Sequence, residues 1–208
     1  YSVGDFATVT MKYVLSPDGT LQITETLSDI KEETPDMFRF GIECSLPGEY
    51  DSIEFFGAGP WENYCDRKTA SFMACFGGEV PSNVTPYTKP QDMGNHEDVS
   101  WVKLSDGKNC GIMVRALGNS VKGAPVMSMS VLPYSAMELV MAAHPHQLPR
   151  NGDTVYLTVD AAVLGLGGQS CGPAPQEKNR IYAAPTRFSF EILPVSPHRF
   201  PKVWEFAE

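Results

Sequence analysis

The 208-residue sequence contains no cluster of lysine and arginine residues and no long apolar run. Its 16 basic and 25 acidic side chains give a net charge of −9 at pH 7, which argues against nucleic acid or an anionic membrane surface as a partner. No segment approaches the ~20 apolar residues that a membrane-spanning helix needs. No signal peptide is recognisable, so we expect a soluble protein whose compartment, cytoplasmic or periplasmic, stays open.

Cysteine is scarce and irregularly placed. The five cysteines are Cys44, Cys65, Cys75, Cys110 and Cys171. An odd number without a CxxC pair predicts neither a disulfide framework nor a zinc site, so most should be small buried hydrophobic residues. A Cys65–Cys75 bridge is the alternative. His144 and His146 would share one face of a strand, but the sequence offers no third metal ligand nearby.

Convincing helical periodicity is also missing, whereas 18 glycines and 17 prolines provide many turns. Alternating apolar and polar residues between these turns predict an all-β fold with one buried face on each strand. The predicted strands cover residues 9–15, 20–27, 38–46, 52–56, 69–76, 99–105, 110–116, 126–132, 154–163 and 186–193. Residues 135–143 are predicted as either a strand or a short helix.

The most informative segment, residues 55–67, concentrates fixed backbone geometry and directional hydrogen-bonding groups. Two phenylalanines run into a Gly-Ala-Gly-Pro turn. The motif residues of this segment are Gly59, Pro60, Glu62, Asn63, Tyr64, Asp66 and Arg67. Because Arg67 and Asn63 lie beside the two carboxylates, the pattern favours an ion pair and a hydrogen-bonded loop scaffold over a catalytic acid pair.

This segment resembles the GxGPxENYxDR motif of the C-terminal domain of glycoside hydrolase family 2 β-galactosidases. Further features follow in the order found in that family. Residues 85–87 and 90–95 are similar to its YxxPQExGN segment, with Asp92 where glutamate is usual. Residues 98–101 are similar to the family's VRW strand, with Ser100 where arginine is common. The remaining features are residues 144–148 before a strand, the glycine-rich loop at 165–173 and the last strand at 188–190.

The resemblance implies a large antiparallel β-sandwich, the supersandwich shared with galactose mutarotases, over residues 1–193. Residues 194–208 would form a tail with Trp204 and Phe206 as candidate docking anchors. In relatives a jelly roll, two immunoglobulin-like sandwiches, a (β/α)8 barrel and the first third of the supersandwich precede this region. We therefore expect an N-terminally truncated piece of a longer enzyme. Its implied partners are the remaining domains, especially the barrel, and a second copy of the enzyme.

Retaining hydrolysis of β-galactosides, the activity of this family, requires two carboxyl groups about 5–5.5 Å apart. The resemblance places both on the barrel as glutamates, so it implies no catalytic residue and no metal ligand in this chain. Mg²⁺ and Na⁺ are expected only in the full-length enzyme. Glu25, Glu43 and Glu191 occupy polar positions of predicted strands, and we expect them to be exposed.

The glycine-rich loop is the best functional candidate. Its glycines allow positive φ and close approach of a ligand or another backbone. In relatives the loop reaches across to the barrel, and in some a tryptophan there stacks on the sugar, where this chain has Cys171 or Gly172. The resemblance implies a substrate rim formed by Gly168, Gln169, Ser170, Cys171 and Gly172. A loop that only packs against the barrel is the alternative.

A function of a different class is a stand-alone carbohydrate-binding module with the mutarotase-like fold. In that case Trp61, Tyr87 or Trp101 would stack on a sugar, whereas packing in the core or at a domain interface is the alternative for each ring. A mutarotase-like epimerase would need a histidine and a carboxylate in one cleft, and the sequence indicates no such pair.

Overall fold

The computed structural model describes residues 2–149, 152–168 and 171–198, and these fold into twelve β-strands and one α-helix. The strands are β1 (Ser2–Val3), β2 (Ala7–Leu15), β3 (Leu21–Ser28), β4 (Arg39–Pro47), β5 (Ser52–Gly59), β6 (Phe72–Glu79), β7 (His96–Val99), β8 (Trp101–Ser105), β9 (Gly111–Asn119), β10 (Met127–Leu132), β11 (Thr154–Val163) and β12 (Thr186–Val195). The helix is α1 (Ala136–Met141).

The strands form two antiparallel sheets. Eight strands pair in the order β1-β2-β3-β12-β9-β8-β5-β6, and four pair in the order β4-β11-β10-β7. Period-two alternation places one face of each sheet toward the other. Phe188 and Phe190 of the large sheet and Leu157 and Val159 of the small sheet belong to the same buried cluster. The expectation of an all-β antiparallel sandwich is therefore confirmed.

The predicted strand at 99–105 is in fact two strands in different sheets. β7 pairs with β10 in the small sheet, whereas β8 pairs with β5 and β9 in the large sheet. The chain crosses between the sheets at Ser100, just after Asp98, whose φ of 57° lies in the left-handed region. This crossing ties the two sheets together directly beside residues 58–63, as described below.

Residues 135–143, predicted as either strand or helix, contain the helix. Ser135 caps α1, since its hydroxyl accepts from the Glu138 N–H and the Glu138 carboxylate accepts from the Ser135 N–H. Leu139 is the buried side of this helix and packs with Met93 and Leu132 on the outer face of the small sheet. The apolar pattern of this segment fits either a strand or a helix, and the capping contacts of Ser135 favour the helix.

The expectation that Glu25 is exposed is wrong, because its side chain is only 2% exposed. Glu25 lies between Ile23 and Leu27 on the inner face of β3, and its neighbour on β12 is the buried Phe188. Burial raises the pKa of Glu25 to about 7, and the nearby charge of Asp160 adds to the effect. Burial therefore favours the neutral acid at this position over the carboxylate.

Replacing Glu25 with glutamine should flatten the pH dependence of stability. Between the ordinary pKa of 4.5 and the folded value of about 7, the folded state binds the extra proton, so stability falls as pH rises through this window. We expect Glu25→Gln to remove about 2 kcal/mol of that loss. Urea unfolding at pH 5 and pH 8 measures it.

Glu33→Gln, at an exposed position, is the matched control and should leave the pH dependence as in the wild type. The same pH dependence in the wild type and in Glu25→Gln would show that Glu25 is already ionised in the folded state at pH 5.

Candidate functional site

The motif segment begins where β5 ends. Gly59 is the last residue of the strand, and a Cβ there would lie 2.7 Å from the ring of Phe76, so only glycine fits beneath that ring. The Gly59–Pro60 peptide is cis. The chain then presents Trp61, 73% exposed, on the surface before it turns inward. The motif thus starts as a tight turn with an aromatic side chain directed to solvent.

Asn63 is the buried centre of the motif, with no exposed surface. Its Nδ2 donates to the carbonyls of Ala58 (2.9 Å) and Trp61 (3.0 Å), and its Oδ1 accepts from the Glu97 N–H (2.9 Å). Its main chain pairs with Asn95: the Asn63 N–H donates to the Asn95 carbonyl, and the Asn95 Nδ2 donates to the Asn63 carbonyl. One side chain therefore fixes the turn and joins it to β7.

Glu62 and Arg67 form the ion pair that the sequence indicates, and a third group completes it. The Oε1 atom of Glu62 accepts from both Arg67 and the Tyr87 hydroxyl, while Oε2 accepts from the Gly94 N–H at 2.8 Å. Burial alone would raise the pKa of Glu62, but the hydrogen bonds from Tyr87, Gly94 and Arg67 outweigh it and lower that pKa. Glu62 is therefore an ionised anchor between two loops.

Tyr64 is fully buried. The guanidinium carbon of Arg67 lies over the Tyr64 ring, 5.3 Å from the ring centre. Its hydroxyl donates to Asp92 at 3.0 Å, and Arg39 donates to the other Asp92 oxygen at 2.7 Å. Burial, with the charge of Asp92 next in effect, raises the pKa of Tyr64 well above its usual range. The short side chain of Asp92 thus accepts from two donors on different elements.

A buried polar layer on the outer face of the small sheet was missed by sequence reasoning. Its members on β10 and β11 are Ser128, Ser130, Thr158 and Asp160, none more than 5% exposed. Ser130 and Thr158 share a hydrogen bond of 2.8 Å, and Ser128 donates to Glu97 at 2.7 Å. Lys122 closes the layer with a 2.6 Å contact to Glu97. Alternating polar residues on two central strands were the available signal.

Asp160 is the least compensated acid of this layer. Its Oδ2 atom has no hydrogen-bond partner, and the nearest cationic contact is the Arg39 guanidinium at 3.7 Å. Burial raises the pKa of Asp160 to about 7 against the opposing pull of Arg39. Glu25 and Asp160 are 2% and 1% exposed, and neither lines the cleft described below, so a sugar has no access to this carboxyl pair.

Asp66 faces away from Glu62 and holds the glycine-rich loop. Its carboxylate accepts from the N–H groups of Leu166 (3.0 Å) and Gly167 (2.8 Å). The neighbouring Cys65 thiol lies 3.8 Å from the carbonyls of Val163 and Asn179, and burial raises its pKa to about 11. Glu62 and Asp66 therefore bind different segments of the chain.

A polar cleft of about 510 Å³ lies between the motif and the glycine-rich loop. Asp66, Lys68, Gly168, Gln176 and Asn179 are among its lining residues. Its size suits a small polar ligand.

Of the predicted rim residues, Gly168, Cys171 and Gly172 lie in the described part of the chain. Gly168 and Gly172 pack against each other, and Cys171 is exposed. Gln169 and Ser170 lie outside the described residues, as do Trp204 and Phe206.

The three aromatic residues considered for sugar stacking, Trp61, Tyr87 and Trp101, differ in their exposure and contacts. Trp101 is 3% exposed and packs in the core beside Met113, as its packing alternative predicts. Tyr87 uses its hydroxyl in the Glu62 cluster, which leaves Trp61 as the exposed ring of the three. His96 is buried against Phe55, and burial lowers its pKa.

The described residues contain neither a metal site nor a disulfide bond. His144 and His146 do not lie on a strand but in an exposed turn, where their rings stack 5.5 Å apart. No group of three metal-ligating side chains occurs within residues 2–149, 152–168 and 171–198. All five cysteines are free thiols, so the alternative of a Cys65–Cys75 bridge is wrong. The expectation that most cysteines are buried is also wrong, because three are half-buried and Cys75 and Cys171 are exposed. In the same ranges no helix is long and apolar enough to cross a membrane.

The fold and motif loops define an antiparallel β-sandwich domain that presents a polar cleft between two of its loops. The family model described as β-galactosidase small chain matches residues 1–192. The chain belongs to this family.

Several similar curated proteins are named β-galactosidases. One from Priestia megaterium is 34% identical over 82% of this chain, and one from Halalkalibacterium halodurans is 30% identical over 91%. A third, from Bifidobacterium adolescentis, is 35% identical over 80%. The matched part of the chain spans only 15–18% of the length of these relatives.

Proposed function

We propose that this chain is the C-terminal supersandwich domain of a glycoside hydrolase family 2 β-galactosidase that cleaves terminal β-D-galactosides with retention. The chain would complete the rim of the active site with its glycine-rich loop and contact the other domains, especially the barrel. The two catalytic glutamates, and the ligands of any Mg²⁺ or Na⁺, would belong to the rest of that enzyme.

The observation that carries this proposal is the family match over residues 1–192 in a chain that corresponds to under a fifth of its relatives. The carboxylates of the motif support it as well. Glu62 accepts from Arg67, Tyr87 and Gly94, and Asp66 accepts from Leu166 and Gly167, so both are committed to holding loops. A retaining glycosidase needs an accessible acid pair, which this domain would receive from another part of the enzyme.

The test uses the complete enzyme that contains this chain. We expect it to hydrolyse lactose and 4-nitrophenyl β-D-galactoside, and proton NMR of the first product should show β-galactose before mutarotation. An enzyme inactive on both galactosides, or one that releases α-galactose first, would contradict the proposed function. The same assay with 4-nitrophenyl β-D-glucoside is the control, and it tests whether the enzyme distinguishes galactose from glucose.

A second candidate, a carbohydrate-binding module, is favoured by one observation, the 73% exposure of Trp61. An exposed indole offers the flat apolar face on which a sugar ring stacks. Calorimetric titration of the chain with galactose and with lactose separates the two functions. The module predicts binding that Trp61→Ala abolishes, whereas a rim domain alone should bind neither sugar measurably.

A further inference from the structure

Asp66 makes a contact that no other carboxylate of the motif makes. Both of its oxygens accept from the main chain of the glycine-rich loop, Oδ1 from Leu166 at 3.0 Å and Oδ2 from Gly167 at 2.8 Å. These partners lie one hundred residues further along the sequence. Hydrogen bonds to an ionised acceptor are the stronger kind, and two of them on consecutive N–H groups fix both position and direction of a backbone.

The start of the loop is also packed against this carboxylate. A Cβ at Gly165 would lie 2.7 Å from Asp66 Oδ2 and 2.9 Å from the Cβ of Asn179. The Gly165 N–H donates to the Asn179 carbonyl at 3.0 Å. Gly165 therefore lies between Asp66 and Asn179 with no room for a side chain, and the loop backbone approaches Asp66 as closely as glycine allows.

The backbone that carries Asp66 is itself held in place. Tyr64 and Arg67 exchange main-chain hydrogen bonds of 3.2 and 2.8 Å on either side of it. The side chain of Arg67 bonds to Glu62, and the side chain of Tyr64 is fully buried. Asp66 thus projects from a turn that the buried network orients, and its two hydrogen bonds transfer that orientation to the start of the glycine-rich loop.

We propose that Asp66 is a positioning residue, which fixes the glycine-rich loop in the geometry needed for galactoside binding. This inference rests on the proposed function, since it takes the loop to be part of the substrate rim. Asp66 does not touch substrate in this role and transfers no proton. Its loss should weaken substrate binding through the loop and leave the bond-breaking step to the catalytic acids elsewhere, so KM should change more than kcat.

The experiment compares variants of the complete enzyme. Asp66→Asn keeps the shape of the side chain but offers one acceptor oxygen, and its NH₂ group opposes the second N–H. Gly165→Ala disturbs the same contact from the loop side. The β8–β9 hairpin provides matched controls. Asp106 accepts from the N–H groups of Lys108 and Cys110 through the single oxygen Oδ1, so Asp106→Asn removes the charge and keeps the acceptor. A Cβ at Gly107 meets nothing within 4 Å. Asp106→Asn and Gly107→Ala are therefore the controls.

We expect Asp66→Asn and Gly165→Ala to raise KM for galactosides about tenfold with kcat within about twofold of the wild type. Amide hydrogen exchange at residues 165–168 should become at least about tenfold faster in Asp66→Asn. The KM of the double variant should be no higher than that of the single variant with the higher KM, because both substitutions break the same contact. Asp106→Asn and Gly107→Ala should keep the wild-type KM.

A KM for Asp66→Asn equal to that of Asp106→Asn would overturn the positioning role. So would a lower melting temperature with unchanged KM, since that outcome describes a purely structural residue. Failure of the proposed function looks different, because the wild-type enzyme itself would then not hydrolyse galactosides. In contrast, failure of the positioning role leaves the wild type active and the KM of Asp66→Asn unchanged.

Discussion

Asn63→Ala is expected to lower the free energy of unfolding by about 4 kcal/mol. The side chain has no exposed surface, and it makes three hydrogen bonds to main-chain groups, those of Ala58 and Glu97 buried and that of Trp61 partly buried. Alanine removes all three bonds at once and cannot admit water without opening the turn. Each orphaned carbonyl or N–H then bears its desolvation cost, which exceeds the net value of an ordinary hydrogen bond.

The matched control is Asn83→Ala. Asn83 is half-buried, and its Nδ2 donates to the carbonyl of Val131 at 3.2 Å. We expect a loss of about 1 kcal/mol there. Equilibrium urea unfolding of the wild type and both variants measures the difference. Equal losses for Asn63 and Asn83 would mean that the turn reorganises freely, and the motif could not then be a rigid scaffold.

Glu62→Ala is expected to destabilise the protein by about 3 kcal/mol at pH 7, because Arg67, Tyr87 and the Gly94 N–H lose their common acceptor together. The carboxylate joins the motif turn to the segment at 85–95. The lowered pKa of Glu62 means that its stabilisation is complete above the ordinary value of 4.5 and is lost as pH falls through the folded pKa. The deficit of the variant should therefore shrink in acid.

Thermal or urea unfolding at pH 7 and pH 3 tests this prediction. Asp36→Ala is the control, since Asp36 pairs with Arg180 and both side chains are partly exposed, so the loss of this pair should leave the stability nearly unchanged. A Glu62 variant as stable as the Asp36 variant at pH 7 would show that the two loops are held together by other contacts.

Much of this fold was predictable because strand pattern and turn chemistry are local. The alternation in residues 20–27 and 186–193 predicts β3 and β12 almost to the residue. The crossing at Ser100 was not predictable, since residues 96–105 give one continuous pattern although they divide between two sheets. The helix was ambiguous for a similar reason, and only the contact between Ser135 and Glu138 decides it.

Side-chain partners were harder to predict than elements. The Arg67 ion pair was predictable because its partner lies five residues away, whereas Asp66 meets N–H groups one hundred residues distant that no local pattern indicates. Glu25 was misread because a charged residue within an alternating strand normally faces water, and here it lies on the inner face. The substrate rim and the domain boundary after residue 193 stay predictions.

The central claim is that this chain shapes an active site without supplying its acids. The most direct measurement is the hydrolysis of 4-nitrophenyl β-D-galactoside by the purified 208-residue chain alone, beside the complete enzyme at equal concentration. The account predicts no turnover above the uncatalysed rate for the chain, and activity for the enzyme. Turnover by the chain that a substitution at Glu62, Asp66, Glu25 or Asp160 abolishes would contradict it.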